Sequence, residues 1–150
     1  MTLTVRNLET FRNVDAALTD PVQTWPFEAL VEIMERGLIA DWRPILDDLR
    51  REPWGLVARK VERWVAMSPE EPAAALFALA VGRVRQHAEE GERLEVARRV
   101  RVAVRESGLT AAEFAVRIGT SASRLSTYSR GHVIPSAAML LRIEARARDS

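Results

Sequence analysis

Apolar side chains recur along most of this chain at the spacing of one helix face, and turn residues punctuate them. Phe27, Leu30, Val31 and Met34 fall at i, i+3, i+4 and i+7. Trp25-Pro26 opens that segment and Gly37 closes it. A second helix is expected after Asp41 as cap, with Trp42, Ile45, Leu46 and Leu49 inward and Asp47, Asp48, Arg50 and Arg51 outward. Glu52-Pro53 breaks it, and a third helix is expected from about Pro53 to Met67, with Trp54, Val57, Val61, Trp64 and Val65 on one side. Ser68-Pro69-Glu70-Glu71 reads as a capping box opening a long helix. The run Ala73 to Val81 is apolar nearly all round and reads as the buried centre of an N-terminal bundle. The helix turns polar from Arg83, and the pattern leaves open whether it continues through Gly91. Ahead of all this, Val5, Leu8, Phe11, Val14 and Leu18 make a loose stripe, read as a mobile arm or a short docking helix.

The pattern tightens from Glu95. Val96, Ala97, Val100, Ala103 and Val104 face one way, and Arg98, Arg99, Arg101 and Arg105 the other, up to Ser107-Gly108. Thr110-Ala111-Ala112-Glu113 is a second capping box, ahead of a helix from Ala111 to Ile118 that buries Phe114, Ala115 and Ile118. Gly119 ends it. A short segment follows to Gly131, with Thr120 or Ser121 as cap and only Leu125 and Tyr128 as an apolar stripe. Its other side chains are small, polar or basic, the types that approach a surface closely and meet base edges and phosphates. A final helix is expected from Ser136 to about Arg148, with Leu140, Leu141 and Ile143 inward. The expected fold class is all-α, with a helical domain over residues 1–91 and a second domain over 92–150.

Composition narrows the chemistry. There is no cysteine, which excludes disulfides, thiolate metal sites and a cysteine nucleophile. The two histidines, His87 and His132, have no metal-ligand neighbour at helical spacing. No nucleophile–histidine–acid set and no phosphate-cradling glycine loop is present, so no enzyme, cofactor or metal is expected. The N-terminus lacks an apolar signal core, and no apolar run approaches the roughly 18 residues of a membrane span. A cytoplasmic protein without a membrane partner is therefore expected, nucleoid-associated when bound to DNA. The net charge of +1 divides unevenly: residues 1–91 hold 11 basic and 15 acidic side chains, residues 92–150 hold 11 and 6. The second part is thus the one suited to a polyanion. All four tryptophans lie between residues 25 and 64, as core or as a partner surface.

Residues 110–130 are laid out as helix, glycine turn, helix. Ser107-Gly108-Leu109-Thr110, Glu113-Phe114-Ala115, Ile118-Gly119-Thr120-Ser121, Leu125-Ser126-Thr127-Tyr128, Gly131 and Pro135-Ser136 together resemble the Cro/phage-repressor (XRE) helix-turn-helix family over about residues 95–148. The resemblance implies sequence-specific binding of double-stranded DNA, usually as a dimer on paired half-sites. It assigns base reading to Ala122, Ser123 and Thr127, and base or phosphate contact to Arg124. Ser121, Arg130 and His132 would meet phosphates, Thr110 would cap a helix start aimed at one, and Ser126 completes the expected DNA-binding set. The chain departs from the family at Ala111, where a phosphate-clamping glutamine is common, and at Ser129 and Val104, where an acid and its arginine partner are usual. The functions implied are a dimeric transcriptional regulator, a repressor in type, or the antitoxin of a toxin–antitoxin pair. An antitoxin would grip its toxin through the N-terminal domain and autoregulate its operon through the helix-turn-helix.

Overall fold

The computed structural model describes Phe11 and residues 16–149. The stripe expected at Val5, Leu8 and Val14 lies outside the described residues. Among the described residues the chain is all-α. A single 3-10 turn, Val22–Thr24, precedes α1 (Phe27–Arg36), α2 (Arg43–Arg51), α3 (Leu56–Met67), α4 (Pro72–Glu106), α5 (Ala111–Ile118), α6 (Ala122–Ser129) and α7 (Ala137–Arg148). The chain divides into two compact units, residues 1–87 and 88–150. No helix among the described residues is long and apolar enough to cross a membrane.

The core of the first unit gathers Trp25, Leu30, Ile33, Met34, Ile45, Leu49, Val57, Val61, Trp64 and Phe77. Its aromatic side chains meet edge to face, Phe77 lying 5.2 Å from Trp42 and 6.0 Å from Trp64 between ring centroids. Three indole N–H groups are also satisfied: Trp25 donates to Asp20 O, Trp42 to Ile33 O and Trp64 to Glu35 Oε1. Each buried ring therefore brings apolar area without stranding its polar edge.

Several expectations change in this unit. Asp41 does not cap α2; its Oδ2 accepts from Leu38 N, closing the preceding turn, and Trp42 occupies the cap position. The third helix begins at Leu56, three residues after Pro53, and Trp54 is 43% exposed. The long helix begins at Pro72. Ser68 ends α3, and its carbonyl accepts from Glu71 N, so residues 68–71 close a turn before Pro72 takes the first helical position. The run from Ala73 to Val81 is not buried all round. Ala74, Phe77 and Val81 face the core, while Leu76 and Leu79 are about half exposed. A helix in contact on one side buries only one stripe, whatever its composition. The helix passes through Gly91 without interruption.

Asp48 was expected outward and is buried at 3% exposure. Its Oδ1 accepts from Gln23 Nε2 at 2.6 Å and pairs with Arg51 Nη2. This one carboxylate ties the 3-10 turn to α2. Asp48→Ala removes the acceptor and leaves the half-buried Gln23 amide without it. The expected loss is about 1–3 kcal/mol of stability, read from denaturant unfolding followed by tryptophan emission.

The second unit has its own core: Val100, Ala103, Phe114, Ala115, Ile118, Leu125, Tyr128, Ile143 and Ala147. Within it α5 packs against both α6 and α7. Leu141, expected inward on α7, is 68% exposed; Ile143, expected inward, is buried, and Ala147 joins it.

Candidate nucleic-acid interface

The start of α5 is fixed by a complete capping box. Glu113 N donates to Thr110 Oγ1 at 3.2 Å, and Thr110 N donates back to Glu113 Oε2 at 2.8 Å. The Thr110 hydroxyl also donates to Glu113 Oε2. These bonds, the backbone one first, hold the Glu113 carboxyl below the usual glutamate range. Because its pKa is lower in the folded chain than in the unfolded one, its contribution is present above the ordinary glutamate range. It is lost as pH falls through the folded value. Glu113→Gln is therefore expected to flatten the acid side of the stability–pH curve, measured by thermal unfolding between neutral and acid pH. An unchanged acid limb would contradict the assignment.

Gly119 closes α5 in the left-handed region, φ 74°, where a side chain would be strained. Ser121 then caps α6: its Oγ accepts from Arg124 N at 3.1 Å. The loop between α5 and α6 is three residues long. On α6, Leu125 and Tyr128 are buried. At about 100° per residue, Ser123, Ser126 and Arg130 project from the opposite side, flanked by Ala122 and Thr127.

Every residue expected to meet DNA lies in this second unit, with differing freedom. Ala122, Ser123, Arg124, Arg130 and His132 are exposed, and Ser126 and Thr127 are half-buried. Among the described residues, the side chains of Ser123, Ser126, Arg130 and His132 have no hydrogen-bond or ion-pair partner. Thr127 already donates its hydroxyl to Arg124 O at 2.6 Å, leaving its lone pairs as acceptors. Arg124 lies along the flank of its own helix, Nε donating to the Tyr128 hydroxyl at 3.1 Å. Ser121 and Thr110 are engaged as caps, so what they offer outward is the helix start rather than the side chain.

The arginines of this unit divide in the same way. Arg98 pairs with Glu95, which raises the guanidinium pKa and lowers that of the carboxyl. Arg99 pairs with Glu144 and is raised by it. Arg142 donates to Ile118 O at the end of α5, and Arg101 donates to Ser129 O at the end of α6, at 2.7 Å. Reading Arg101 only as part of an outward basic face misses that contact; the spacing Arg93, Ala97, Arg101 was the available signal. Dividing the chain at residue 88 also places Glu89 and Glu90 in the second unit, which then holds 11 basic and 8 acidic side chains. Its excess of +3 is spread over the whole unit, and the local fact that matters is the free Arg130 at the C-terminal cap of α6.

Compared with protein-family models, with curated proteins and with solved structures, the chain finds no match.

Proposed function

We propose that the second unit is a helix-turn-helix that binds double-stranded DNA with sequence preference, α6 entering the major groove, and that the protein is a transcriptional regulator of repressor type acting as a dimer. One observation carries this reading. α6 is anchored by two buried side chains and capped at its start, and the face away from the core presents Ser123, Ser126 and Arg130 with no internal partner. Unpartnered hydroxyls and a guanidinium on a rigid helix suit base edges and phosphates. Thr127 adds an acceptor and Ala122 a methyl-sized contact for thymine.

Arg124 has a narrower role here than the resemblance alone implies, because reaching a base would mean leaving the Tyr128 hydroxyl. Arg130 is the stronger candidate for phosphate contact. Titrating duplex DNA at several salt concentrations tests both assignments. Arg130→Ala is expected to weaken all duplexes alike and to reduce the salt slope by about 1. Ser123→Ala is expected to cost about 1–3 kcal/mol on the preferred duplex alone. Binding that ignores both changes would contradict the assignment of α6.

The antitoxin reading draws on a different observation. Leu56, Met67, Leu76 and Leu79 in the first unit are each at least half exposed, apolar surface suited to another chain. Rescue of growth from a toxic neighbouring gene product by the full chain would favour it.

A further inference from the structure

The last turn of α6 leaves four carbonyls to be satisfied, and three are met by the turn that follows. Ser126 O accepts from Arg130 N, Tyr128 O from Gly131 N, and Thr127 O from both His132 N and Val133 N. The fourth, Ser129 O, has no backbone donor among the described residues. It is met from α4 by Arg101 Nη1 at 2.7 Å. One turn earlier on α4, Ala97 lies against Gly131: a Cβ built on that glycine would stand 3.5 Å from the Ala97 Cβ. Gly131 itself has φ 73°, left-handed backbone that returns the chain toward α4. A turn earlier again, Arg93 Nη1 makes a longer contact with Gly131 O, 3.4 Å. Residues 93, 97 and 101 recur at i, i+4 and i+8, on one side of the helix.

From this stripe we infer that Arg101, Ala97 and Arg93 are positioning residues that fasten the C-terminal end of α6 to α4 and so set how α6 is presented to DNA. The cationic heads of Arg101 and Arg93 sit at the end of α6 where the helix dipole favours positive charge. Both arginines spend donors on backbone oxygens of the α6 end, so they act through α6 rather than by touching the nucleic acid. Tyr128 and Leu125 hold the middle of α6 to the core; the α4 stripe holds its end. The inference rests on the DNA reading of α6 for its purpose, while the clamp stands on the distances.

Arg101→Met in the full chain, which keeps the stem and removes the donors, tests it in two arms. Without DNA, amide exchange at Arg130, Gly131 and His132 is expected to rise about tenfold. Exchange at Phe114 should stay unchanged, which shows that the fold survives. Arg101→Lys, with one donor arrangement restored, is expected to recover part of the protection. With DNA, preference for the selected duplex over an unrelated one is expected to fall about tenfold, with the salt slope unchanged. Unaltered exchange at residues 130–132 would overturn the clamp. Equal weakening on both duplexes, with the slope reduced by about 1, would make Arg101 a phosphate contact and overturn its positioning role. Should the wild-type chain prefer no duplex, the DNA reading fails, and the exchange arm still decides the clamp.

Discussion

Phe114→Ala is expected to destabilise the second unit by about 3–5 kcal/mol. Phe114 is fully buried on α5 and belongs to the cluster that also holds Val100, Ile118, Leu125, Tyr128 and Ile143. Alanine there leaves a ring-sized void that rigid helix backbones on several sides cannot close. A unit of this size has a net stability of only about 5–10 kcal/mol, so the loss takes most of it. The measurement is chemical unfolding followed by far-ultraviolet circular dichroism, with amide exchange at Leu125 and Tyr128 as the local reading. A loss under about 1 kcal/mol would mean that Phe114 does not organise α5, α6 and α7 as described.

Phe77→Ala is expected to cost the first unit a similar amount, about 3–5 kcal/mol. Phe77 receives the edges or faces of Trp42 and Trp64, and aromatic pairs of this kind contribute about 0.5–1.5 kcal/mol each beyond the area they bury. All four tryptophans fall in the first unit and none in the second, so tryptophan emission reports this core specifically. Its unfolding midpoint is expected to move to markedly lower denaturant in Phe77→Ala. A midpoint within error of the wild type would contradict the central place given to Phe77.

The helices were legible because their signals are local. The capping box at Thr110 and Glu113, the glycine at 119 and the serine at 121 each act within four residues, and each does in the structure what its neighbours imply. What was not legible depends on partners distant in sequence. Asp48 shares a helix with exposed charges, but its buried carboxylate also meets Gln23, 25 residues away. Asp41 has the chemistry of a cap, but Leu38 N, in the turn before it, claims its carboxylate. The apolar run from Ala73 to Val81 carries no mark of which side will be covered, so Leu76 and Leu79 could not be separated from Phe77 by composition. At the candidate site the face of α6 followed from the positions of Leu125 and Tyr128. The commitments of Arg124 to Tyr128 and of Arg101 to Ser129 O did not, because an arginine's reach exceeds what spacing specifies.

The proposed function depends on α6 reading DNA. Selection of duplexes from a random pool by the intact chain at low salt tests that most directly. The expected result is enrichment of one motif, arranged as two half-sites about one helical turn apart or a multiple of it, with the enrichment lost in a Ser123→Ala, Arg130→Ala double variant. A pool that emerges without any enriched sequence, or one enriched equally by the double variant, would contradict it.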